Sequence, residues 1–230
     1  MNEKHEFQTG ILHVLTTNIY FFMVTNVYFI LSIIFSLTWG ILLERSLLDI
    51  LPLILTGPAL VTLSSFLLQF IEMNKESDLP NFIDYISIYK KNFKETLSFW
   101  VPYSLLVFIL SINIQYYDWG NETLTKIANI FSIGIIIIST IIVIYMLIIS
   151  SKFKFRMQDL LRISCYYIIM RMKITLGIVG IAFLTLFVTI SYSEFFILFI
   201  TSLIGYFFVK YMSPILSDIE ENFVKQESNN

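Results

Sequence analysis

Charge is what this sequence has least of. Of 230 residues only 14% are Asp, Glu, Lys or Arg, against 57% apolar, too little charged surface to coat a soluble globule. Lipid is therefore expected to be the solvent for much of the chain. Cysteine is nearly absent: Cys165 stands alone, so no internal disulfide frames the fold and a free buried thiol is expected. Histidine is scarce as well. His5 and His13 lie eight apart near the start, with no Cys or His cluster beside them, which leaves a zinc site without support. No G-x-S-x-G elbow, P-loop or H-E-x-x-H occurs. The expectation is a non-enzymatic protein without cofactor, metal or catalytic residues. The net charge of -2 hides a segregation of basic residues and gives no reason to expect a nucleic-acid partner.

What the sequence has in abundance is long apolar runs. A helix needs about 20 apolar residues to cross the hydrocarbon core. Six stretches approach or exceed that length, at 19–43, 51–71, 97–114, 127–149, 174–190 and 195–209, and none contains Asp, Glu, Lys, Arg or His. The start, Met-Asn-Glu-Lys-His-Glu, lacks the basic region of a cleavable signal, so the first run is expected to be retained. The predicted fold class is all-α, a polytopic transmembrane helix bundle with six spans. A five-span count that fuses or drops one run is the alternative. With the N-terminus inside, 13 of the 15 basic residues fall on the cytoplasmic side and only Arg45 and Lys126 outside, which the positive-inside rule favours. The protein is thus expected in the cell membrane with both termini cytoplasmic. Residues 1–216 form one transmembrane domain in this reading, and 217–230 a polar tail. Trp39, Tyr116, Tyr117 and Trp119 are expected at the outer interface, and Tyr89, Trp100 and Tyr211 near the inner one.

Two cytoplasmic connections of about 25 residues hold most of the non-membrane mass. In the first, Ser77-Asp78-Leu79-Pro80 suggests a helix start, after which Phe82, Ile86, Tyr89, Phe93 and Leu97 form a stripe. Lys90, Lys91 and Lys94 lie off that stripe, so the helix is read as amphipathic, its lysines facing anionic lipid or a cytoplasmic partner. The second connection repeats the arrangement, with Met157, Leu160, Leu161 and Ser164 along one side. Both end alike, in Lys94-Glu95-Thr96-Leu97 and Lys173-Ile174-Thr175-Leu176, and Gly57 and Gly134 lie 77 apart in the preceding spans. A parallel duplication is therefore conceivable.

Inside the spans the polar inventory is short. Gly57-Pro58 is expected to kink the second span, which either shapes packing or lines a solute site. Gly177 and Gly180 suggest close helix contact. Asn26, Gln69, Asn113 and Asn129 are expected to hold helices together or to touch a neutral hydroxylated solute. With no ionisable group in the spans, proton-coupled transport is not expected.

Asn26, Thr56-Gly57-Pro58-Ala59, Phe82 and Tyr89-Lys90-Lys91-Asn92-Phe93-Lys94 together resemble the YesL-like family of bacterial membrane proteins, whose members have no established activity. That resemblance implies a carbohydrate-uptake context, with a sugar ABC transporter or a sensor protein as partner at the cytoplasmic face. No catalytic residue is carried over from it; Gly57 and Pro58 at the expected kink and Lys90, Lys91, Asn92 and Lys94 on the amphipathic helix are the candidate binding residues. No E-A-A-type coupling loop is present, which argues against a permease subunit of an ABC transporter. An accessory or regulatory component is the leading expectation, and a small permease for a neutral sugar-like solute the alternative.

Overall fold

A computed structural model of the protein describes residues 11–42, 50–72, 81–116, 123–191 and 194–224, with side chains over 16–34, 54–72, 81–116, 123–191 and 200–223. The apolar runs give helices α1 (Ile11–Leu42), α2 (Ile50–Glu72), α3 (Phe82–Tyr116), α4 (Thr123–Lys152), α6 (Met172–Ser191) and α7 (Glu194–Ile219), with a shorter α5 (Met157–Met170) between α4 and α6. Among the described residues there is no strand. Five helices, α1 to α4 and α6, are long and apolar enough to cross a membrane. The fold is a multi-pass transmembrane helix bundle. α7, with 26 residues, runs alongside them against α1, α2 and α6.

α2 is the central helix, touching α1, α3, α4 and α7. Ala59, Val61 and Leu67 on it are fully buried. α6 is the opposite case: Ile178 is its one buried residue. α3 and α4 run antiparallel, tied by Tyr103 to Thr140 at 2.9 Å and by Asn113 to Ser132 at 3.2 Å. The first and last long helices close the bundle. Asn26 Oδ1 accepts from the Ser202 backbone N–H at 3.1 Å, and the Ser202 hydroxyl donates to the Phe22 carbonyl at 3.0 Å.

Several sequence expectations change here. The amphipathic stretch and the third span form one continuous helix of 35 residues, about 52 Å long against a hydrocarbon core of about 30 Å. Its cap is Asn81, whose Oδ1 accepts from the Ile83 N–H at 3.2 Å; Ser77 to Pro80 lie outside the described residues. The face that packs is Tyr85, Asn92, Thr96, Phe99 and Trp100, not the stripe of Phe82 and Ile86, which are exposed. Likewise α5 buries Leu160, Ile163, Ser164 and Tyr167, while Met157 and Leu161 point outward. In both helices the packed face mixes large side chains with small polar ones, Asn92 and Thr96 in α3 and Ser164 in α5.

Trp100 is no interface anchor, being 6% exposed and packed on α2. Tyr211 rests on Gly177 of α6. Lys210 places its Nζ 5.5 Å from the centre of the Tyr206 ring, where a cation is attracted to the aromatic face. Cys165 is half-buried, not buried. Beyond Ser217, the expected start of the polar tail, α7 continues to Ile219, which is fully buried, and Glu220–Val224 form a π turn. The anchors Trp39, Tyr117 and Trp119 fall outside the described side chains.

Candidate functional site at the charged end of the bundle

α2, α4 and α7 finish at one end of the bundle, and their terminal charges meet there. Lys152 Nζ lies 2.6 Å from Glu72 Oε1 and 2.8 Å from Glu220 Oε2, joining three helix ends through one ammonium. Lys154, in the connection after α4, donates to Asn92 Oδ1 at 2.9 Å and to Glu95 Oε2 at 2.5 Å, which holds that connection against α3. At the α5–α6 junction Arg171 lies 3.4 Å from Asp218 Oδ2. Tyr167 also bonds Asp218, and burial together with that carboxylate pushes its phenol up to about 12. Pairs this exposed contribute about 0–1 kcal/mol each, so their value lies in registering the connections rather than in stability.

The sequence-singled residues separate into two places. Gly57 lies in α2 against Trp100: a Cβ there would come 2.3 Å from the indole Cγ. Pro58 lies inside the same helix, which runs through it unbroken, and its carbonyl accepts from Thr62 Oγ1 at 2.7 Å. Lys90, Lys91 and Lys94 are exposed on α3, while Asn92 between them is buried with Lys154 on its amide oxygen. Lys152, Lys154 and Arg171 are cationic like the lysines of α3, but they are committed to carboxylates. Their partners Glu72, Glu95, Asp218 and Glu220 lie far away in sequence, and no local pattern pointed to them.

Two cavities flank this end. One of about 320 Å³ opens between α3 and the start of α5, lined by Lys94, Arg156, Ser98, Phe99, Phe153 and Leu160 among others. A second of about 370 Å³ lies deeper, between α1, α2, α4, α6 and α7. Nine of its thirteen lining residues carry apolar side chains and three carry hydroxyls. Ser64 and Thr185, two of those three, donate to carbonyls of their own helices. Among the described residues no group of His, Cys, Asp and Glu is arranged to hold a metal ion.

The fold and this site define a polytopic helix bundle with charged helix ends gathered at one end. Residues 14–114, which span most of α1, all of α2 and nearly all of α3, match a family model described as "Protein of unknown function, DUF624". That segment carries every residue on which the YesL-like resemblance rests. No curated protein and no solved structure matches the chain.

Proposed function

We propose that the protein is a non-enzymatic accessory or regulatory component of the cell membrane, YesL-like in kind, linked to carbohydrate ABC transport and working through its charged end at the cytoplasmic face. The observation that carries this is the division of cations there. Three are tied into the bundle, whereas Lys90, Lys91 and Lys94 project from α3 as an exposed cluster, a surface that suits an acidic partner or an anionic membrane. Both termini lie inside in this reading, which follows the positive-inside rule.

Crosslinking and affinity purification of the full chain from native membranes tests the proposal. A transporter or sensor subunit is expected to co-purify repeatedly and to be lost on Lys90→Glu with Lys91→Glu; recovery of the chain alone counts against it. A reporter fused after Asn230 is expected to be active only in the cytoplasm. The second reading, a small permease for a neutral sugar-like solute, draws on the deeper cavity. Its lining favours hydrocarbon over a polyol, whose hydroxyls each need a hydrogen-bond partner when buried. Vesicle flux of labelled monosaccharide above protein-free vesicles would favour the permease.

A further inference from the structure

The cavity between α3 and the start of α5 combines features that no helix-packing role requires. Phe99, Phe153 and Leu160 are buried and form an apolar floor, with Phe155 and Met157 beside them. Lys94 and Arg156 stand on the rim, both exposed. Among the described residues neither lies within ion-pair distance of a carboxylate, although Glu95 lines the same cavity, because Glu95 is held by Lys154. Arg156 is also the N-cap of α5 and supplies no side-chain cap. A cation at the positive end of a helix opposes the helix dipole, and Asp159 in the first turn offsets only part of that. Two unpaired cations and an uncapped helix start therefore converge over a greasy floor.

We propose that this cavity is a binding site for an anionic phospholipid, with the headgroup phosphate between Lys94 and Arg156 and the upper part of one acyl chain over Phe99, Phe153 and Leu160. The volume of about 320 Å³ suits the assignment. At roughly 30 Å³ for a unit the size of a water or a methylene, it accommodates a phosphate and the first few methylenes, but not a whole lipid. A soluble phosphate compound would use the rim and leave the floor bare. The site deepens the proposed function by naming lipid as one ligand of the charged end, and it rests on that end lying at a membrane interface.

The test is native mass spectrometry of the purified full chain with phosphatidylglycerol and phosphatidylcholine of matched acyl chains, and separately with inorganic phosphate. The wild-type chain is expected to retain phosphatidylglycerol preferentially. Lys94→Gln with Arg156→Gln is expected to weaken that retention roughly ten- to thirty-fold, given about 1 kcal/mol per basic residue near an anionic surface. Arg162→Gln with Lys173→Gln, which removes the same charge at exposed positions outside the cavity, is expected to leave it within about two-fold. Lys94→Arg keeps the charge and is expected to keep binding, and circular dichroism checks that every variant remains helical. Equal loss in both double variants means general surface charge and overturns the site. Equal retention of the two lipids also overturns it, and so does displacement by equimolar inorganic phosphate. If lipid selectivity fails while partner capture persists, the site is wrong and the accessory role stands; if partner capture alone fails, the reverse holds.

Discussion

Two segments of this chain begin as amphipathic helices at the charged end and lead into a long apolar helix, and they do so differently. α3 is continuous from Phe82 to Tyr116, whereas α5 and α6 are separated at Arg171, whose φ of -112° and ψ of 49° leave the helical region. The matching threonines show why. Thr96 donates to Asn92 O, four residues back in its own helix. Thr175 instead reaches across the break to Ile168 O at 2.9 Å and pairs with Tyr145 of α4 at 2.8 Å. That hydroxyl serves a carbonyl at the end of α5, which makes the break self-consistent. Similar words in the sequence thus close a helix in one place and bridge two in the other.

The contrast extends to packing, and the largest expected effect tests it there. An offset of 79 residues takes Thr96 to Thr175 and Trp100 to Val179, yet Trp100 is 6% exposed and Val179 36%. Trp100→Ala is expected to lower stability in detergent by about 3–5 kcal/mol, and Val179→Ala by less than about 0.5 kcal/mol, measured as loss of helicity in denaturant. Equal losses would mean that α6 is as tightly packed as α3.

The two spaced glycines give a smaller effect of the same kind. A Cβ on Gly57 meets the Trp100 ring, while Gly134 has nothing within 4 Å. Gly57→Ala is expected to cost about 1–3 kcal/mol through overpacking, and Gly134→Ala to be neutral or to gain up to about 1 kcal/mol in helix propensity. Thermal unfolding of the two single variants separates these outcomes.

Thr175→Val comes next, removing a hydroxyl shared by α4, α5 and α6, at about 1–2 kcal/mol. Thr96→Val deletes only a bond within its own helix and is expected to cost no more than about 0.5 kcal/mol. A reversal of that order would dissolve the distinction between the two connections.

The second connection also carries a pH dependence of its own. The Tyr167 phenol is raised from 10.0 to about 12, so its contribution is present in full below about pH 10 and is lost as pH rises through about 12. Tyr167→Phe is expected to remove that component, seen as one tyrosine fewer in the late part of the tyrosinate absorbance and as a shallower fall of stability at high pH.

The order and approximate extent of the apolar helices were legible in the sequence because a bilayer demands long uncharged runs and backbone hydrogen bonding within each segment. Helix faces were not. In the stripe that starts with Phe82 and Ile86 the rule that apolar residues go inside fails, since both are exposed while Asn92 and Thr96 are buried. Gly57 was visible as unusual, but only the structure pairs it with Trp100, and Gly180, equally small, faces open space. At the charged end Lys90, Lys91 and Lys94 were legible as a cluster. The role of Arg156 was not, because its isolation depends on Glu95 being taken by Lys154 from 59 residues away.

The clasp between Asn26 and Ser202 has a consequence in time. The two residues are 176 apart in the chain, so at about 5–20 residues per second of synthesis the first helix exists for about ten to thirty-five seconds before its partner emerges. For that interval Asn26 Oδ1 is without the Ser202 N–H and the Phe22 carbonyl without the Ser202 hydroxyl. A chain stalled or truncated before α7 would lack the Ser202 N–H at Asn26 Oδ1 and the Ser202 hydroxyl at the Phe22 carbonyl, and so the clasp between α1 and α7.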